Sequence, residues 1–332
     1  MSIADDIIKR QMYIGRYIDR LAADSISLTS KTDKAILSLI SAFEEVATQR
    51  DRLAISKGGV GSRLAQQLLK DISAALTEQG EHITESLSAD IIALVEKEIK
   101  HTSKLVDTEA PDPSKTSLLV SGSTLSTSIA MLITQHKSRL ISVLSETLKA
   151  GNDAIKAIKG TVKANYKDGI NNKRNNHLAS ITDYFAQGAV NNARNDVYQS
   201  AGIKAFDWVA TLDLRACSIC ANNELSSPYS SATVPSIGHP RCRCVIVPNI
   251  EKSTRRPYVK DSRSVKEIPK DERDGKIGVT RKNFKQWFET LNESDKREWL
   301  GKSRYEMYKA GKIDIKDLAA GNPKRILTLK EL

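Results

Sequence analysis

Cys217-Ser218-Ile219-Cys220 and, 21 residues further on, Cys242-Arg243-Cys244 running into Val245-Ile246-Val247-Pro248 decide how this chain reads. All four cysteines of the 332 residues lie in this window, and His239 stands three residues before Cys242. A C-x-x-C turn lets two thiolates reach one ion, and a second close pair across a loop completes the spacing of a metal staple. The β-branched run after Cys244 predicts a short strand, on which Cys242 and Cys244 face the same side. Five donors, Cys217, Cys220, His239, Cys242 and Cys244, therefore compete for a tetrahedral site that takes four. The expected metal is structural zinc, because a catalytic ion keeps one position for water and usually draws on histidine and carboxylates. Two alternatives stand beside it. Paired disulfides suit short, cysteine-dense secreted domains. A thioredoxin-like redox pair needs its C-x-x-C to open a helix within a βαβ unit, whereas Cys217 is expected to follow a strand and precede a loop.

Upstream, Phe206, Trp208, Ala210 and Leu212 alternate, so residues 203–212 read as the strand that delivers Asp213-Leu214-Arg215-Ala216 to Cys217. With residues 243–247 as its neighbour, the metal module is a small antiparallel sheet that has little apolar mass and gains stability from the ion. Asp213 is expected to cap backbone donors, and Arg215 and Arg243 to pair with it or to hydrogen-bond thiolates and carbonyls.

Around this module the chain reads as helix. Apolar residues make up 40% and aromatics only 5%, so the core rests on aliphatic side chains that suit packed helices. Helical spacing covers Ile7 to Leu21 and Lys31 to Ser56, and Gly58-Gly59-Val60-Gly61 then makes a turn. A phosphate-cradling reading of those glycines fails for want of a following Lys-Ser or Lys-Thr and a preceding strand. From Ser62 to Leu105 the pattern fits two antiparallel helices or one long one, interrupted at Gln79-Gly80. The two prolines of Glu109-Ala110-Pro111-Asp112-Pro113 mark a linker. Helical spacing resumes at Ile129–Leu148 and again with Ala154, Ile155, Ile158 and Val162. Asn171-Asn172-Lys173-Arg174-Asn175-Asn176 reads as a polar hinge, and Ile181 to Ser200 as a helix ended by Gly202.

The formal net charge is +11, and residues 251–332 hold 22 Lys or Arg against 14 Asp or Glu. Residues 251–280 read as an extended basic arm, and Arg255, Arg256, Lys260, Arg281 and Lys282 are its candidate contacts to a DNA backbone. Beyond them Phe284, Trp287, Phe288 and Leu291 share a helical face, with a further helix carrying Trp299 and Leu300. Amphipathic spacing makes both tryptophans core rather than a base-stacking platform. No apolar stretch approaches the roughly 18 residues of a membrane span. The fold class expected is α+β and predominantly α-helical: helical regions at 1–110 and 111–202, a zinc-stapled β module at 203–250, the arm at 251–280 and a basic helical tail at 281–332.

Taken together, the Trp208-Val209-Ala210-Thr211-Leu212-Asp213 strand, Arg215, the C-x-x-C, and His239-Pro240-Arg241-Cys242-Arg243-Cys244 with its following strand resemble the Mu F-like head morphogenesis, or minor head, proteins of tailed bacteriophages. The end of the chain, with Trp287, Leu300-Gly301, Arg304, Tyr308, Gly311-Lys312 and Leu327 to Leu332, is similar to theirs as well, so residues 180–332 carry the resemblance. Two positions depart from the family pattern: Ala216 where a Thr is common, and Asn223-Glu224 where an Asp-Gly turn is common. The resemblance implies a non-enzymatic virion protein in the capsid interior near the portal vertex, present in the host cytoplasm during assembly. Its implied partners are the portal protein, a major capsid or scaffolding protein and, without sequence preference, double-stranded DNA, and its implied role is in head morphogenesis and DNA packaging or ejection. Two other classes compete. A zinc-dependent nuclease or toxin-like domain would use His239 as base, yet no H-x-E or H-E-x-x-H motif is present. A zinc-finger DNA reader would need a base-reading helix in that class's spacing.

Overall fold

A computed structural model describes residues 3–332 apart from 153, 155–157, 159–168, 236, 240, 250–255, 260–276 and 322–323. The fold is predominantly α-helical with small antiparallel strand pairs. Helix α1 runs from Ile3 to Val46 without interruption, where the sequence reads as two helices. The polar stretch between them contains no Gly or Pro, and its hydroxyls bond back along the helix: Ser25 to the Leu21 carbonyl, Ser27 to Asp24 and Thr29 to Ile26, each at 2.7 Å. The break comes instead at Thr48. Its side chain and that of Asp51 form a reciprocal capping box that starts α2, Gln49–Ile55. The glycine turn then follows as expected, with Gly58, Gly59 and Gly61 all at positive φ.

Helix α3, Arg63–Leu105, passes through Gly80 unbroken. A Cβ on Gly80 would lie 3.0 Å from Ile133 Cγ1, so the missing side chain serves close packing against α4, Leu125–Lys149, rather than a bend. Helix α5, Ile170–Ser200, begins eleven residues before the expected Ile181. The supposed hinge at 171–176 is therefore helical. Arg174, 1% exposed, holds Asp33 through two bonds of 2.6 and 2.8 Å, and pairing of this kind is what allows an arginine to be buried. Ala154 and Ile158 are helical and buried, whereas Ile155 and Val162 lie outside the described residues. Gly202, at φ 72°, ends α5 with the Ile203 amide bonded to the Tyr198 carbonyl.

The contacts divide the chain into two compact units, each assembled from separate stretches. Unit two comprises Ile18–Ala93 and Gly122–Phe185 and is purely helical among its described residues; its core is aliphatic, with Ile36, Ile40, Ile72, Leu76, Leu140 and Leu144 buried. Unit one comprises Met1–Tyr17, Leu94–Ser121 and Ala186–Leu332 and holds every strand among the described residues and the whole cysteine window. In it β1, Phe206–Val209, pairs antiparallel with β2, Val245–Pro248, Trp208 lying opposite Ile246. Tyr198 stacks on Phe206 at 5.6 Å and donates its hydroxyl to the Ile246 carbonyl, fastening this sheet to α5. Close packing in unit one also depends on a glycine, since a Cβ on Gly188 of α5 would come within 2.6 Å of Val120 in the non-helical segment before α4.

Between β1 and β2 lies α6, Ser218–Leu225. The arm at 251–280 is regular where described: β3, Arg256–Val259, pairs antiparallel with β4, Ile277–Thr280. The tail follows as α7, Phe284–Glu289, α8, Glu293–Leu300, and α9, Lys302–Lys309, with Gly301 at φ 73° turning the chain between the last two. Phe284, Trp287, Phe288, Trp299 and Tyr308 form one aromatic cluster with ring centroids 5.0–5.7 Å apart at each closest pairing. Both tryptophans thus serve the core, as their spacing predicts.

Candidate metal centre

The Asp213 to Cys217 segment leaves the sheet as a tight turn, its Ala216 amide bonded to the Asp213 carbonyl. Cys217 then caps α6: its sulfur accepts the Cys220 amide at 3.4 Å. The C-x-x-C accordingly opens a helix, not the expected loop, and helical geometry sets Cys220 one turn behind Cys217 and 1% exposed. Cys242 and Cys244 also differ from expectation, because β2 begins only at Val245. A turn that bonds the Cys242 amide to the His239 carbonyl, with Arg241 at φ 64°, aims them inward instead. Each is 2% exposed.

Two overlapping triads result, Cys217–Cys220–His239 and Cys220–Cys242–Cys244, with ligand atoms within 4.8 Å of one another in each. Cys220 Sγ belongs to both and lies 3.2 Å from His239 Nε2 and 3.6 Å from Cys242 Sγ. A tetrahedral ion with metal–sulfur bonds of ~2.3 Å and metal–nitrogen bonds of ~2.0 Å has sulfur–sulfur edges of ~3.8 Å and sulfur–nitrogen edges of ~3.5 Å. The two edges at Cys220 lie within a few tenths of an ångström of these values, so the donors about that sulfur suit a metal ion. All four cysteines are free thiols, and 3.6 Å is far from the ~2.05 Å of a disulfide.

The sulfurs perturb one another. Hydrogen bonds from Cys220 and His239, with the positive character of His239, bring the Cys217 thiol down to about 5 against its burial. Hydrogen bonds from Cys220 and Cys244 hold Cys242 well below the usual thiol range. Cys220 is pushed up by donating to Cys217 and Cys242. The Cys217 and Cys242 shifts both favour the thiolate, the form in which cysteine binds metal.

Asp213 is fully buried and accepts both Arg243 guanidinium nitrogens, at 2.5 and 2.9 Å, and the Arg215 amide at 3.0 Å. The expected structural roles of Asp213 and Arg243 are thereby visible, and Arg215 contributes its backbone. Gly238 packs where a Cβ would stand 3.2 Å from Cys220 Sγ and 3.5 Å from Trp208, so a side chain in the turn before His239 would press on the Cys220 sulfur.

Glu224 was not legible as a site residue. Placed by α6 one turn beyond Cys220, its carboxylate accepts four donors: the Ala210 and Phe284 amides, each at 2.9 Å, and two Arg256 nitrogens at 2.9 and 2.5 Å. It joins the end of β1, the β3 strand and α7. Arg256 is 5% exposed and also bonds the Ala210 and Lys282 carbonyls, so this candidate DNA contact instead holds the module together. Arg281 and Lys282 are exposed; Arg255 and Lys260 lie outside the described residues. The tail grips the helix as well. Asn222 accepts Lys324 and donates to the Lys316 and Ala319 carbonyls, and the Trp299 indole donates to the Ala216 carbonyl at 2.5 Å.

Beneath β2 lies a buried polar network. Glu98, wholly buried, receives Arg194 at 2.7 Å and Arg10 at 3.0 Å; Arg194 also donates to Gln11, which donates to Gln187. Nothing in the sequence marks these residues, because they are brought together from three helices. No protein-family model, no curated protein and no solved structure matches the chain. None of the helices is long and apolar enough to cross a membrane among the described residues.

Proposed function

We propose that this chain is a structural minor head protein of a tailed bacteriophage, a portal-associated assembly factor whose metal is zinc. The observation that carries the reading is the five-donor cluster, with Cys220, Cys242 and Cys244 buried, formed by the same Cys217–Cys244 residues that carry the resemblance to the Mu F-like proteins. Zinc suits a thiolate-rich tetrahedral site, and such sites contribute folding energy directly. Here the ion would tie α6, the His239 turn and the approach to β2 into one body. A stable module of this kind, fastened to helices and to a basic tail, suits a protein lodged between a protein ring and packed DNA. Of the candidate phosphate contacts, Arg281 and Lys282 are exposed, which suits a contact without sequence preference.

The reading is non-catalytic. Asp213 is consumed by Arg243 and Glu224 by four donors, so neither of these nearby carboxylates is left to activate a metal-bound water. Helix α6 opening at Cys217, with that thiol depressed to about 5, favours a redox pair as the second reading. A dithiol pair leaves His239 and Cys242, both within 3.6 Å of Cys220, without a purpose. The metal reading uses them.

The test is the zinc content and mass of the purified full-length chain, alone and mixed with the portal ring of the same genome. One zinc per chain and a complex with the ring support the proposal. A zinc-free native protein removes the metal, a zinc-loaded protein that ignores the ring removes the assembly role, and turnover of DNA by the loaded protein removes the non-catalytic reading.

A further inference from the structure

Helix α6 carries two of the candidate donors at its start and a seat for the tail along its length. We propose that metal binding and tail docking are coupled through this helix: the donors fix its first turn, and the fixed helix holds the tail against the module. The proposal rests on the metal reading above and goes beyond it, because the tail itself contains none of the five donors.

The tail elements converge on α6. Helix α7, the tight helical turn Ile315–Leu318 and the short strand pair β5, Ala319–Ala320, and β6, Arg325–Ile326, each pack against it. Polar contacts fall along the whole helix. At its start the Trp299 indole donates to the carbonyl of Ala216, the residue before Cys217, at 2.5 Å. In the middle Asn222 donates to the Lys316 carbonyl and, at 3.1 Å, to that of Ala319, while Lys324 reaches back to the Asn222 side chain and to Ser226 Oγ. Near its end Glu224 accepts the Phe284 amide at 2.9 Å.

The two ends of α6 are secured differently. With 8 residues it is too short to be stable alone, since isolated helices below ~12–15 residues are marginal. Glu224 anchors the far end to Ala210 and Arg256 without involving a donor. The near end begins at Cys217, whose sulfur accepts the Cys220 amide at 3.4 Å, where a hydroxyl or carboxylate is the usual and better cap. An ion shared with the His239 turn ties this end to the module. In its absence the first turn is left to a sulfur cap, and the carbonyl that receives Trp299 is loosened with it.

Hydrogen exchange on the full-length chain, loaded with zinc and then stripped by a chelator, tests the coupling. Amides of residues 284–320 should exchange about 5–150-fold faster after stripping, the usual span of coupling between two sites, while those of α3 and α5 keep their protection. Linkage requires the reverse effect as well. Trp299→Phe removes the indole donor and leaves all five candidate ligands in place, and it should weaken zinc binding by up to the same factor; if it undocks the tail outright, the full factor is expected. Tail amides indifferent to zinc, an unchanged zinc affinity in Trp299→Phe, or exposure of α3 and α5 together with the tail would overturn the coupling and leave the metal reading standing. A wild-type chain that takes up no zinc would remove both.

Discussion

Replacing Glu224 with alanine should loosen the whole cysteine-bearing unit, although Glu224 touches no candidate ligand. The side chain is 9% exposed and its partner Arg256 is 6% exposed. The substitution leaves a buried guanidinium without its carboxylate, a loss of about 3–5 kcal/mol for a buried pair broken on one side. It also strips the Ala210 and Phe284 amides of their acceptor, which places the total toward the upper end because an orphaned buried donor costs about 1–3 kcal/mol. Taking ~4 kcal/mol, and ~2–4 °C per kcal/mol for a unit of this size, the midpoint of thermal unfolding should fall by roughly 8–16 °C. Trp208, Trp287 and Trp299 all lie in unit one, so tryptophan fluorescence follows its melting selectively. Glu224→Gln keeps the shape and one acceptor and should fall between. A drop under about 2 °C for the alanine variant, with the Ala210 and Phe284 amides still protected from hydrogen exchange, would refute this account of how α6, β3 and α7 are joined.

Three further predictions follow from single contacts. His136 is 2% exposed, and its burial, with the repulsion of Arg174, lowers its pKa from 6.5 to about 4; the folded form keeps it neutral while the unfolded chain takes up a proton below 6.5. Stability of unit two should thus be flat in this respect above pH 6.5 and fall by about 3 kcal/mol between pH 6.5 and 4, a slope that urea titrations followed by circular dichroism should find missing in His136→Phe. Gly238→Ala places a methyl 3.2 Å from Cys220 Sγ, and should weaken cobalt binding about tenfold or more while α-helical content stays unchanged; wild-type affinity would show that the turn yields. Gly188→Ala drives a methyl to 2.6 Å from Val120, and should destabilise unit one by about 1–3 kcal/mol, with Val120→Ala in the same chain recovering most of the loss; absence of recovery would place the strain elsewhere.

The local chemistry was written in the sequence. The cysteine spacing marked the donors, alternation marked β1, aliphatic periodicity marked the helices, and Gly58–Gly61 marked its turn, because each depends on residues a few positions apart. What failed did so where local signals were balanced. Nothing between Leu21 and Lys31 forbids a helix, so hydroxyl back-bonding let α1 run on. The 171–176 stretch is polar enough for a hinge, yet Asp33, 141 residues away from Arg174, turns it into buried helix.

Tertiary structure alone decided the rest. Arg256 has the composition of a phosphate contact, and only the arrival of Glu224 from α6 makes it an internal clamp. Glu98, Arg194 and Gln11 are ordinary helical residues until three helices bury them against one another. The sequence determined which side chains could bind a metal, since that is a property of thiol and imidazole chemistry at short spacing. Which of them meet, and which charges are spent inside the fold, depended on packing, because desolvation and pairing are set by neighbours far along the chain.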